Sequence, residues 1–147
     1  MSEAPLGDFP YLRIPAGFRD PNPAIPVAPA GRVPFWTGDR LQWVEGKVYQ
    51  ATVHADSGRE FSAAELAGAV EKAVAELGGV PVTHSPIPGD VASSIDEDTS
   101  VKFVAGLGDI YNSPAHTYVV RRVDRLIWIH LCADSASAGW MIAESPN

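Results

Sequence analysis

The strongest constraint on the fold is a helix signal near the middle of the chain, between two regions with strand patterns. Ser62 and Glu65 form an S-x-x-E capping box, in which each side chain caps a free backbone N–H group at a helix start. Apolar residues before and after the cap have the spacing of a hydrophobic staple. Further apolar residues recur at helical spacing until Gly78 and Gly79 end the pattern. The sequence therefore predicts a helix over residues 63–77.

Strand patterns lie on both sides of this helix. Residues 41–55 are rich in strand-forming side chains, and Gly46 within them predicts a bulge or a bend. A short strand is predicted at 80–83, two short helices within 85–113, and three strands within 116–144. This order predicts an α+β fold, in which an antiparallel sheet with a C-terminal β-meander packs against one main helix, the one at 63–77.

The N-terminal region has a different composition, because eight of the 13 prolines lie in residues 1–34. Each proline fixes φ and lacks an N–H donor, so neither a helix nor a central strand is expected there. The aromatic and aliphatic residues of 8–18 predict an extended arm packed on the domain, whereas 19–34 is expected to be an exposed loop. The predicted organisation is a proline-rich, partly packed arm over 1–34 and a single α+β domain over 35–147.

Charge and hydropathy exclude several classes of partner. The formal net charge is −7, and only 11 Lys and Arg are spread along the 147 residues. Nucleic acid binding needs a basic patch, so no nucleic acid partner is expected. No window approaches 18 apolar residues, so no transmembrane segment is expected in this chain.

The stretch "HTYVVRRVDRLIWIHLC" contains residue types that are common in catalytic sites. With a turn at residues 124–125, the two strands would carry one core face and one half-exposed face with Arg121, Trp128 and His130. Arg121 is then expected over Trp128 as a cross-strand cation–π pair. Asp124 would lie about 20 Å from His130 along the strand, too far for a catalytic triad.

The remaining candidates also favour structural roles. Cys132 lies two residues from His130 on one strand face, farther than direct activation of a thiol requires, so it is expected to be buried and inert. The four histidines form no metal-binding motif, although His54 and His84 lie on different elements and their convergence in space stays open. We expect no catalytic residue, no cofactor and no metal ligand.

Aromatic residues are also candidates for a surface that binds a partner. The segment "PFWTGDRLQW" places two tryptophans close together, at a core edge or in an exposed interaction patch. Tryptophan and arginine are common anchors of protein interfaces. The expected interaction surface is either the half-exposed hairpin face with Arg121, Trp128 and His130 or the patch around Trp36 and Trp43.

Five segments carry a resemblance to a known family: "DFPYLRIPAGF", "WVEGKVYQATVHAD", "SAAELAGAVEKAVAELGG", "GDIYNSPAHTYVVRRVDRLIWIHLC" and "GWMIAE". Together they resemble the N-terminal domain found in some bacterial OmpA family proteins of the cell envelope. The OmpA-like peptidoglycan-binding domain and an export signal are absent. The resemblance implies a periplasmic location, with anchoring to the outer membrane through a missing upstream segment, and no cofactor. A chain complete as given would instead be expected in the cytoplasm.

Three functions are consistent with these features. The first is a non-enzymatic periplasmic module of the cell envelope that binds a protein or an envelope component. The alternative is an immunity protein or inhibitor that neutralises a toxin, since acidic charge would steer docking on a basic enzyme. A hydrolase that uses histidine with cysteine or with a metal is the third and less favoured alternative.

Overall fold

The computed structural model describes residues 1–146. The strands are β1 (Phe18–Arg19), β2 (Ala28–Trp36), β3 (Leu41–Ala55), β4 (Val80–Ser85), β5 (Ala115–Arg121), β6 (Arg125–Ala133) and β7 (Ala138–Pro146). The helices are α1 (Ala63–Glu76), α2 (Gly89–Ala92), α3 (Glu97–Lys102) and α4 (Val104–Leu107). Within residues 1–146, no helix combines the length and the apolar character needed to cross a membrane.

All strand pairs are antiparallel and belong to one sheet of seven strands. Its order is β3-β7-β6-β5-β4, with β1 and β2 both paired to β3. Strands β5, β6 and β7 are consecutive neighbours, as in the predicted meander, because short turns connect them. An antiparallel sheet with separate helices is the predicted α+β class.

The main helix begins and ends close to the predicted positions. Ser62 is the N-cap, and its hydroxyl accepts the backbone N–H of Glu65 at 3.1 Å. The Glu65 carboxylate binds Arg59 at 2.7 Å, in a salt bridge across the helix start. The buried residues of α1 follow an i, i+4, i+8 pattern, so one stripe of the helix faces the sheet: Leu66, Val70 and Val74.

The opposite face of the sheet is also buried, contrary to the prediction of a half-exposed face. Helices α2–α4 pack there together with β2, and the exposed fractions of Thr117, His130 and Cys132 are 0%, 1% and 1%. A sheet covered on both faces carries nearly continuous apolar strands instead of alternating ones. The prediction of a half-exposed face is therefore wrong for Thr117, His130 and Cys132, whereas Arg121 at the end of β5 is exposed.

The β5–β6 hairpin turns one residue earlier than predicted. The Arg122 N–H donates to the Arg125 carbonyl at 2.9 Å, so the two residues between them form the turn. The resulting shift of two positions in register leaves each side chain on its predicted face. It changes the partners, however, because Trp128 lies opposite Val119. The predicted pairing of Arg121 with Trp128 is wrong.

Residues 28–34, predicted as part of an exposed loop, belong to strand β2. Pro29 and Pro34 are compatible with a strand because β2 is an edge strand that pairs only with β3. Val33 is fully buried, which anchors the strand to the core. The proposed division of the chain after residue 34 thus falls inside a strand.

Strand β2 and the first half of β3 form a ribbon that folds over the sheet. The two strands pair with each other along the ribbon, and β3 pairs with β7 only beyond Gly46, where a bend was predicted. In a flat sheet β2 and β4 would lie five strand spacings apart, roughly 24 Å. Yet Trp36 Nε1 donates to Ser85 Oγ of β4 at 3.0 Å, and the Phe35 ring lies 5.8 Å from the Trp128 ring of β6. The ribbon therefore crosses one face of the sheet.

The residues before β1 pack against the opposite core, on the side of α1. The Tyr11 hydroxyl donates to the Glu144 carboxylate and accepts a hydrogen bond from Arg125 Nη1 at 2.7 Å. Near the start of the chain, Ser2 donates to the carbonyls of Arg121 and Leu77, each at 2.7 Å. Partly buried apolar side chains complete the packing: Leu6, Phe9, Tyr11, Leu12 and Ile14.

Candidate ligand-binding cleft

A cleft lies between helix α1 and strands β4 and β5. Three of the helix residues that line the cleft are small, namely Ala64, Ala67 and Gly68. Their side chains leave the space between the helix and the strands open. A Cβ atom added at Gly68 would have no heavy atom within 4 Å. The cleft has a volume of about 310 Å³, near the lower limit for sites that bind small molecules.

Three aromatic side chains form the strand side of this cleft. His84 of β4 lies directly opposite His116 of β5 in the strand register, and their rings stack with centroids 3.6 Å apart at 13°. Tyr118 lies two residues further along β5 and therefore on the same face. Its ring is nearly parallel to that of His116, at 7° and 6.3 Å between centroids.

Two of the three rings in the cleft, those of His116 and Tyr118, are uncharged at neutral pH and lie beside one carboxylate. Burial, with smaller contributions from the neighbouring His84 and His130, lowers the pKa of His116 to about 4. Burial raises the pKa of Tyr118 to about 12, with a contribution from the Glu71 carboxylate on α1. At neutral pH the His116 ring and the Tyr118 hydroxyl are therefore uncharged, and Glu71 supplies negative charge at the cleft.

The histidines converge only in part. His84 and His116 meet in the cleft, whereas His130 points to the opposite face of the sheet and donates from Nε2 to the Leu107 carbonyl at 2.9 Å. His54 lines a separate recess with Arg59. In the described part of the chain, no group of three or more His, Cys, Asp or Glu side chains is placed to hold a metal ion.

Cys132 and His130 lie in the core below α4. The Cys132 thiol donates to the Ser113 carbonyl at 3.6 Å. Burial, with the nearby Asp109 and Asp134 carboxylates, raises the pKa of this thiol to about 12. A protonated and enclosed thiol is a poor nucleophile, which agrees with the inert role expected for Cys132.

The five residues predicted as an interaction surface occupy different environments. Trp36 and His130 are buried, with 4% and 1% of their surface exposed. Trp43 is half-buried beneath the Arg32 guanidinium, 3.7 Å from the ring centroid. Trp128 is half-buried and packs in the core cluster that contains Trp36. Only Arg121 among the five is fully on the surface, where it borders a recess beside Ser2.

No family model, curated protein or solved structure matches this chain. The cleft therefore rests on geometry alone. Sequence reasoning missed it because His84 and His116 are 32 positions apart and meet only through the pairing of β4 with β5. The one usable signal was a histidine directly after the strand pattern of 80–83 and another at the start of the strand region of 116–144.

Proposed function

We propose that this chain is a non-enzymatic binding module of the bacterial cell envelope, located in the periplasm, that binds a protein or an envelope component. Two features support the proposal. The sequence resembles the N-terminal domain of some OmpA family proteins, and the cleft between α1 and β4–β5 is an open, preformed recess. The binding site in this proposal is that cleft.

The observation that carries the proposal is the contrast between the cleft and the enclosed reactive residues. His84 is exposed and its ring is held by stacking on His116, so the recess exists before any ligand arrives. A preformed site avoids part of the ordering cost of binding. The thiol of Cys132 and the imidazole of His130 are enclosed instead, and neither reaches the cleft surface.

The test fills the cleft without disturbing the fold. In Gly68→Leu, the new side chain enters open space on the cleft side of α1. Leucine also favours a helix over glycine by about 1 kcal/mol, so the variant should unfold at the same temperature as the wild type or higher. Ala75→Leu is the matched control, because Ala75 is exposed on the same helix and does not line the cleft.

The full-length chain, immobilised, would be exposed to detergent-solubilised envelope extract, and retained components would be quantified by mass spectrometry. We expect the wild type and Ala75→Leu to retain the same component and Gly68→Leu to lose it. If all three chains retain the same set, the cleft is not the binding site. If the wild type retains nothing above a blank resin, the binding function itself is wrong.

The location is tested separately. Fractionation of cells that express the protein from its natural locus, followed by antibody detection, should place it with periplasmic or outer-membrane markers. Recovery with cytoplasmic markers would contradict the envelope assignment and leave the binding experiment unaffected.

The inhibitor alternative is favoured by one property, the net charge of −7. Acidic inhibitors associate rapidly with basic enzymes, and added salt slows that association. A basic secreted enzyme among the retained components, with binding that weakens steeply between low and physiological salt, would favour this alternative over the envelope module.

A further inference from the structure

The geometry of the cleft points to its ligand, an inference that rests on the proposed binding function: we infer that the cleft binds a guanidinium group, as carried by an arginine side chain, against the rings of His84, His116 and Tyr118 and the carboxylate of Glu71. The same chemistry is available from a free small molecule or from an arginine of a protein.

Charge selects a cation. Glu71 lies on α1 and lines the cleft, and its carboxylate is near enough to Tyr118 to affect the pKa of the phenol. Within residues 1–146, Glu71 is not a member of any salt bridge, and no lysine or arginine lines the cleft. A carboxylate without a lysine or arginine neighbour, beside aromatic ring faces, attracts a cation and disfavours an anion.

Shape selects a planar cation. The three rings stand nearly parallel, with 13° between His84 and His116 and 7° between His116 and Tyr118. A guanidinium is planar and weakly hydrated, so it stacks on an aromatic face while its N–H groups donate to a carboxylate. An ammonium carries its charge at a point and stays strongly hydrated, so it gains less from parallel rings.

Size restricts the ligand to one small group. The volume of about 310 Å³ is near the lower limit of about 300 Å³ for small-molecule sites and suits a side-chain-sized ligand. Pro81 and His84, which line the cleft from the edge strand β4, are exposed to solvent. A guanidinium on a flexible chain therefore reaches the rings from solvent.

The test uses Nα-acetyl-L-argininamide and its neutral isostere Nα-acetyl-L-citrullinamide, each titrated into the ¹⁵N-labelled full chain and followed by NMR. We expect the arginine compound to shift the amides of α1, β4 and β5 in a saturable manner, and the citrulline compound to bind at least about fivefold more weakly. Equal affinity for the two compounds, or no saturable shift with either, would overturn the inference.

Two variants test whether the Glu71 carboxylate is the group that binds the guanidinium. Glu71→Gln removes the proposed partner, whereas Glu76→Gln is the control on the same helix, outside the cleft. We expect a loss of about fivefold in affinity for the arginine compound with Glu71→Gln and no change with Glu76→Gln. If both variants bind like the wild type, Glu71 is not the recognition group and the inference fails.

A third arm distinguishes the source of the guanidinium. A tripeptide with a central arginine and blocked ends should bind more tightly than argininamide if the natural ligand is a protein, and equally if it is a free small molecule. Either result supports a guanidinium group as the ligand.

Failure of this inference is separable from failure of the proposed function. If Gly68→Leu loses the envelope component while the arginine compound does not bind the wild type, the module function stands and the ligand class is wrong.

Discussion

The neighbours of each histidine decide its chemistry in this protein. His84 and His116 face each other across two strands and stack in an open cleft. His130, on the next strand, points to the other face and is held by a carbonyl of α4. Burial lowers the pKa of His130, as it does that of His116. The same residue type thus forms a binding surface in one place and part of the core in another.

The lowered pKa of His116 predicts acid sensitivity. Its pKa falls from 6.5 to about 4 in the folded protein, so the unfolded chain binds more protons between these values, and stability decreases as the pH drops through that window. Because the ring is partly exposed, we expect His116 to contribute only about 1–2 kcal/mol of this loss. Urea unfolding at pH 7 and pH 4.5 measures it, with His116→Phe as the variant that stacks but cannot titrate.

The variant should lose less stability than the wild type over this pH range. It keeps a smaller dependence, because buried His130 also has a lowered pKa. An identical loss in the wild type and in His116→Phe would show that the stacked pair does not cause the acid sensitivity.

At the scale of elements, local signals predicted helices better than strand partners. The helix at 63–77 was found because its cap and its apolar stripe lie within one segment, and the structure confirms it as Ala63–Glu76. The turn between β5 and β6 was predicted one residue too late, because the residues that form it, Val123 and Asp124, are not an Asn-Gly or Asp-Gly pair. The alternation of side chains survived that error, since a shift of two positions preserves the faces.

Glycine at position 46 is required by the neighbouring strand. A Cβ atom there would lie 1.9 Å from the Glu144 carbonyl oxygen of β7, and φ is +158°. We expect Gly46→Ala to lower the free energy of unfolding by about 2–4 kcal/mol, because two paired backbones would have to separate. Gly89→Ala is the control, since its Cβ would meet no atom within 4 Å. Urea unfolding of both variants checks this, and equal stability would contradict the close approach.

At the scale of the whole molecule, the sequence could not show which sheet faces are covered. Two short helices were predicted within 85–113 and the structure has three, and their position on the second face depends on contacts between distant segments. The prolines of residues 28–34 indicated that no central strand forms there, and the structure agrees, but they are compatible with the edge strand that does form. For the same reason the His84–His116 cleft was missed, because it exists only after β4 and β5 have paired.

The attachment of the N-terminal segment to the sheet should depend on the hydroxyl group of Tyr11. Tyr11 connects Glu144 and Arg125, on two strands of the sheet. Tyr11→Phe should destabilise this attachment by about 1–2 kcal/mol and accelerate tryptic cleavage after Arg13, which is exposed. Tyr111→Phe is the control, because Tyr111 is 60% exposed. Mass spectrometry of timed digests gives the rates, and equal rates for the two variants would contradict a role of Tyr11 in holding the segment.

The ribbon that crosses the sheet has a consequence for the order of folding. Its hydrogen bond from Trp36 to Ser85 joins residues 49 positions apart, and the surface it covers exists only when β4, β5 and β6 are already aligned. Because that surface must form first, we expect ribbon closure to be a late event, and until it occurs the apolar face that the ribbon covers would be exposed and prone to aggregation.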